Sequence, residues 1–187
     1  MMETIIQWDK DLFHFINHNF ANETLDAVMC FVSQRWSWLA LYTIVVGVII
    51  YVFRKKSWII LLSVGILVAT TDLISYRVFK KQVERYRPCR KEAMLEFEVR
   101  QLPCATCSEY GFVSSHAANS FAIAVFVGLL FYKKSKWWIA GGLLWAFVIS
   151  ISRVYLGVHY PLDVLGGAIL GTSLAFLFYK IIRLKIE

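Results

Sequence analysis

Residues 36–53 read "WSWLALYTIVVGVIIYVF" and carry no charged side chain. A run of this length suits a helix crossing a hydrocarbon layer about 30 Å thick. Three basic residues follow, Arg54, Lys55 and Lys56, and an apolar run resumes at 57–79. Further apolar runs occupy 112–132, 137–152 and 160–182, the fourth of the five being the shortest. With 58% hydrophobic residues in 187 and a mean hydropathy of +0.57, the chain is more apolar than one soluble core requires. In lipid the backbone must satisfy its own polar groups, so the runs must be helices. The expected fold is all-α: a polytopic membrane helix bundle of about five transmembrane helices, with residues 1–187 forming a single domain.

The first 35 residues differ. The stretch "DKDLFHFINHNFANETLDAVMCF", residues 9–31, mixes charged and aromatic side chains at roughly helical spacing, with no uninterrupted apolar run long enough to span. It predicts N-terminal interfacial helices. Glu3, Asp9 and Asp11 argue against a cleaved signal peptide, which begins positively charged. Orientation follows from the basic clusters Arg54/Lys55/Lys56, Lys133/Lys134/Lys136 and Lys180/Arg183/Lys185, which mark cytoplasmic ends. The N-terminal segment, the 80–111 loop and the 152–160 corner then fall together on the outer side. That loop holds seven basic residues (Lys80, Lys81, Arg85, Arg87, Arg90, Lys91, Arg100) against five acids. The positive-inside rule disfavours this, so something else retains them.

Three clusters on that side carry chemistry. In "SRVYLGVHYPLD", residues 152–163, Pro161 suits the first turn of a helix, which puts His159 just before the last span and Asp163 within its first turn. In a tight corner the carboxylate can accept a hydrogen bond from one imidazole nitrogen and leave the other to attack. Alone, Asp163 could simply complement the helix dipole, and Arg153 could snorkel. In "GFVSSHAANS", residues 111–120, Ser114 and Ser115 precede a helix read from His116 onward, and the free amides at such a start bind anions. Capping accounts for the serines but not for a histidine in a span. In "KKQVERYRPCR", residues 80–90, Pro88 stops the helix at or before Arg87. If the helix persists that far, Lys80 and Arg87 share a face. Together the clusters supply three cations, helix-start amides and two histidines, one with a carboxylate partner. That set suits phosphoryl transfer without a metal.

These residues resemble the motifs of the type 2 phosphatidic acid phosphatase superfamily, K-x6-RP, PSGH and SR-x5-H-x3-D. They stand here as Lys80 with Arg87-Pro88, as Val113 to His116, and as Ser152-Arg153 with His159 and Asp163. The first and third match in full. The second departs, with Val113 at the proline and Ser115 at the glycine, which bears on the loop's rigidity and amide geometry. The resemblance implies membrane helices with the site at the outer leaflet and a phosphohistidine at His159. It implies that Asp163 activates His159 and that His116 acts as acid and later helps activate water. Lys80, Arg87, Arg153, Ser114 and Ser115 would hold the phosphoryl oxygens, with no metal or other cofactor. The expected partners are a membrane lipid phosphate and the bilayer, not nucleic acid; the oligomeric state stays open.

The short chain with one outer loop looks like bacterial inner-membrane enzymes that dephosphorylate undecaprenyl pyrophosphate on the periplasmic side. The same fold acts on phosphatidylglycerol phosphate and lipid A, and the sequence does not choose among them. A vanadium-dependent haloperoxidase would share the residue types but is soluble and larger. A non-catalytic phospholipid transporter or scaffold would need the cations and not the two histidines. Of the four cysteines, Cys30, Cys89, Cys104 and Cys107, the Cys104-x2-Cys107 pair could suggest zinc. An oxidising compartment favours pairing instead, with at least one disulfide inside the loop and the connectivity open. "GAILG", residues 167–171, permits close helix approach within the bundle or between monomers. Asp72 and Tyr76, in the second span, are read either as a brace for a basic site residue or as a polar helix contact.

Overall fold

The computed structural model describes residues 2–94 and 98–186, so residues 95–97 of the 80–111 loop lie outside it. Helix α1 runs Met2–His18 and α2 runs Glu23–Ser33. Asn22 starts α2 by accepting the Leu25 N–H at 2.8 Å, and Glu23 and Asp26 place negative charge in the first turn. A 3₁₀ turn, Arg35–Trp38, leads into α3, Leu39–Phe53. The basic corner Arg54–Lys56 turns the chain into α4, Ser57–Ile74, which continues as a π-helical stretch, Ser75–Lys80, and a last turn, α5, Lys81–Val83. The short α6, Lys91–Met94, lies in the loop. The remaining helices are α7, Ser115–Phe131, α8, Trp137–Tyr155, and α9, Pro161–Ile186.

Three helical stretches are long and apolar enough to cross a membrane: Arg35–Val83, which contains α3 and α4, Trp137–Tyr155 and Pro161–Lys185. Helix α7 is a shorter apolar helix. The protein is a multi-pass membrane protein whose apolar helices α3, α4, α7, α8 and α9 correspond to the five expected runs. Leu62, Leu144, Ile169 and Leu177 are exposed on the bundle's flank, where lipid is as favourable a neighbour as another helix.

Helix α7 is the axis of the packing and lies most extensively against α9 and α8. Its buried positions include Ala117, Ala118, Ala122, Ala124 and Gly128, side chains small enough to bring backbones close. Glycines on α9 complete the approach: a Cβ at Gly167 would lie 2.5 Å from the Ser114 carbonyl oxygen, and one at Gly171 2.0 Å from that of Ala118. The "GAILG" face is therefore consumed within the chain. Nearer the basic corners the core is filled by Ile49, Ile60, Leu67, Phe126 and Phe131.

The end of the bundle opposite the basic corners is covered by α1, α2 and the 84–114 loop. Glu84 adopts a left-handed conformation (φ 47°) that ends the helix, so Arg87 does not share a helical face with Lys80 as the heptad spacing suggested. The chain instead becomes extended and pairs with the loop's far end. Gly111 N–H donates to the Arg85 carbonyl at 2.8 Å, and Tyr86 bridges Tyr110. Cys89 pairs with Cys107, the expected disulfide within the loop, and Cys30 pairs with Cys104, which ties the loop to α2. Each cysteine of Cys104-x2-Cys107 thus has its own partner, which removes the zinc reading.

Candidate active site

Helix α8 ends at Tyr155, and Gly157 turns the chain at φ 77°, where a Cβ would lie 2.6 Å from the Arg100 carbonyl oxygen. This turn delivers His159 to the start of α9. The His159 ring is buried, with 1% of its side chain exposed, and its Nδ1 lies 3.4 Å from Asp163 Oδ2. The same oxygen accepts the Tyr160 N–H at 3.0 Å. A proton held on Nδ1 leaves Nε2 as the nitrogen available for attack. Burial, then the charges of Arg87, Arg153, Lys80 and Arg85, hold the His159 pKa well below the ordinary histidine range.

The cations arrive from three parts of the chain. Arg87 is buried, donating Nε to the Tyr110 carbonyl at 3.0 Å and Nη1 to that of Val158 at 3.3 Å. Burial draws its pKa down to about 10, with Asp163 pulling the other way, so it stays charged at neutral pH. Arg153, on the last turn of α8, is buried and donates Nη1 to the Ser33 hydroxyl at the end of α2, while its Nε has no hydrogen-bond partner among the described residues. Lys80 Nζ donates to Ser115 Oγ at 3.0 Å.

Helix α7 begins at Ser115, one residue before the expected start, with Ser114 as its N-cap. Ser114 does not cap through its hydroxyl. Its N–H donates to the Asp163 carbonyl at 2.9 Å, and its buried Oγ has no partner among the described residues. The first amides of α7, beside Ser115 and His116, have no intrahelical acceptor and suit an anion. His116, half-buried, stands within electrostatic reach of Arg153, His159, Arg35 and Arg87. The three sequence clusters therefore meet at one end of the bundle.

Asp72 fits both of its readings: it accepts from Asn119 Nδ2 at 2.9 Å across α4 and α7, and its charge acts on Lys80. Tyr76 is exposed, and Lys81 Nζ sits 5.4 Å from its ring centroid. Four residues at the site escape a reading by motif: Asp9, Ser33, Arg85 and Gly111. Arg85 lies inside the Lys80 to Arg87 spacing, where it looks like one more solvated charge. It donates Nη1 to Asp163 Oδ1 at 2.8 Å and Nη2 to Asp9 Oδ2. A Cβ at Gly111 would lie 2.8 Å from Asp163 Oδ2.

Converging cations, helix-start amides and a buried histidine–carboxylate pair on membrane helices are the equipment of a phosphate-handling membrane protein. The chain belongs to the PAP2 superfamily, whose sequence profile matches residues 56–187. It is 30% identical to the lipid A 4'-phosphatase of Bacteroides thetaiotaomicron over 182 residues, 97% of this chain and 80% of that protein. With the undecaprenyl-diphosphatase of Sulfolobus acidocaldarius it shares 30% over 182 residues, 96% and 81% of the two chains. Among solved structures, the transmembrane PAP2-type phosphatidylglycerolphosphate phosphatase of Bacillus subtilis is similar with a TM-score of 0.73 at 26% identity. That match covers 98% of this chain and 88% of the other.

Proposed function

We propose that this PAP2 lipid phosphatase removes a terminal phosphate from a membrane lipid phosphate or diphosphate through a phosphohistidine on His159, with undecaprenyl pyrophosphate as its substrate. Nε2 of His159 attacks the terminal phosphorus, and the bond from that phosphorus to its leaving oxygen breaks: the bridging P–O–P oxygen in a diphosphate, the lipid's own oxygen in a monophosphate. His116 gives that oxygen its proton and then takes one from the water that attacks the phosphohistidine, releasing inorganic phosphate and restoring both rings. Asp163 holds the Nδ1 proton and stabilises the positive charge that forms on the ring. Lys80, Arg87, Arg153, the Ser114 hydroxyl (unpartnered among the described residues) and the first free amides of α7, at Ser115 and His116, stabilise the charge on the phosphoryl oxygens.

The observation that carries this reading is the buried His159 Nδ1 contact with Asp163 at 3.4 Å, set among cations from distant parts of the chain. A pyrophosphate suits a histidine this deep, because the reacting phosphorus stands one P–O–P linkage beyond the lipid's bulk. The named activity of the Sulfolobus relative points the same way. The site faces the periplasm of a bacterial inner membrane in this reading, supported by the basic corners at the opposite end and two disulfides on the site's own side.

The test is phosphate release by the purified protein in detergent from undecaprenyl pyrophosphate, phosphatidylglycerol phosphate and lipid A. The highest kcat/KM is expected for the pyrophosphate. A preference for either of the others reassigns the substrate, and no release from any of the three sinks the catalytic reading in favour of a binding protein.

A further inference from the structure

Arg85 stands between two buried carboxylates that are far apart in sequence, and every carboxylate oxygen of the pair is occupied. Asp9, from α1, accepts Arg85 Nη2 on Oδ2 and the Leu162 N–H on Oδ1 at 2.8 Å. Asp163 accepts Arg85 Nη1 on Oδ1 at 2.8 Å, and its Oδ2 meets the Tyr160 N–H and the His159 ring. The Tyr160 ring lies under the guanidinium, 4.1 Å from Cζ to centroid.

We propose that Asp9 and Arg85 are positioning residues for the reaction: through Arg85, the N-terminal helix sets both the orientation of Asp163 and how much negative charge it can offer His159. The inference rests on the His159–Asp163 reading above. An arginine paired with Asp163 alone would neutralise it and weaken its hold on the imidazole. Sharing that cation with Asp9 leaves the three groups with one net negative charge, next to the ring that becomes positive during the reaction. The guanidinium bridges the two carboxylates with one nitrogen on each and so opposes rotation of Asp163, while Gly111, lacking a Cβ, leaves room for Asp163 Oδ2 where it stands. A histidine's hydrogen-bonded partner is in turn held by its own partners, as in other catalytic and metal-binding histidines.

The experiment compares kcat and KM of wild type, Asp9→Asn, Arg85→Lys and Arg85→Gln on whichever lipid phosphate the wild type hydrolyses. It also follows the His159 Nδ1–H resonance in substrate-free, ¹⁵N-histidine-labelled protein. Asp9→Asn can still accept the Leu162 N–H and is expected to lower kcat about 10-fold to 100-fold with KM within about 3-fold. It is also expected to move the Nδ1–H resonance upfield as the hydrogen bond weakens. Arg85→Lys should keep at least about ten times the kcat of Arg85→Gln, because it retains the charge. A kcat for Asp9→Asn within about 2-fold of wild type, or a loss confined to KM, overturns the proposal. Equal losses in the two Arg85 variants also overturn it, and that comparison decides alone if Asp9→Asn does not purify as a monodisperse species. A wild type inactive on every lipid defeats the reading under Proposed function. The resonance then tests the brace by itself, and an unmoved signal in Asp9→Asn counts against it.

Discussion

Lys80 Nζ donates a hydrogen bond to Ser115 Oγ at 3.0 Å, joining the end of the second membrane helix to the start of α7. The hydroxyl stands where the superfamily pattern has glycine, so here a side chain holds the lysine that we propose as a phosphate ligand. A bound phosphate offers that lysine a stronger acceptor than a neutral hydroxyl does. Ser115→Gly is therefore expected to keep kcat/KM within about 5-fold of wild type, the loss falling mainly on KM. Steady-state kinetics on monodisperse protein check this. Complete loss of turnover would give the hydroxyl a role of its own in the reaction.

The two histidines should fail differently. His159→Ala is expected to abolish turnover and any phosphoenzyme for every substrate. His116→Ala should cost about 100-fold to 10,000-fold where the leaving group is a basic alkoxide, and less for a pyrophosphate, whose leaving phosphate needs less help from a proton. The measurement is acid-labile label on the protein after brief mixing with radiolabelled lipid. Label that persists in His159→Ala and vanishes in His116→Ala would reverse the assignment.

The depressed pKa of His159 has a definite sign. Burial first, then four neighbouring cations, disfavour the protonated ring, so the native protein keeps it neutral where a free histidine, with a pKa of about 6.5, is already charging. Between about pH 7.5 and 5.5 its ring ¹⁵N signals should not titrate, and loss of the neutral nucleophile should not limit kcat/KM there. The unfolded chain takes up a proton at this residue below about pH 6.5 and the native state does not. Its contribution to stability is therefore present above that pH and is lost as pH falls below it. A His159 signal titrating near 6.5 would refute the first half of this, and a His159→Gln variant with an unchanged acid dependence of stability the second.

Peptide mapping of non-reduced protein should recover two cross-links, Cys30 to Cys104 and Cys89 to Cys107. The first spans 74 residues, a closure worth about 4 kcal/mol in the chain-entropy view. Replacing Cys30 and Cys104 together by serine is expected to lower Tm by several degrees and to raise KM, because α2 also carries the Ser33 that holds Arg153. Any other pairing, or free thiols, would contradict the arrangement of α2 over the site.

The spans at 36–53 and 160–182 are legible because lipid leaves an apolar backbone no option but helix. The His159 to Asp163 spacing is legible because one proline fixes where the last helix begins. The route from Lys80 to Arg87 is not: the helix ends on Glu84 in a left-handed conformation that its side chain does not announce, and two residues of heptad spacing end up on different structures. Ser114 reads as a side-chain cap, yet its N–H is committed to the Asp163 carbonyl, a contact no local pattern encodes. Asp9 and Arg85 are the hardest case. Each is an ordinary surface charge by composition, and only the folding of α1 onto α9, more than 150 residues later, buries them against each other.

Gly171 meets the Ala118 carbonyl with no room for even a methyl group, and Gly167 meets that of Ser114 in the same way. The two helices are keyed together backbone to backbone, so α7 cannot slide along α9 without collision. His116 rides on one helix and Asp163 on the other, and the distance between their chemistries is locked as in a machined joint. The cover over that joint is fixed from outside it: α1 through Asp9 on Arg85 and the Leu162 N–H, and α2 through its disulfide to the loop.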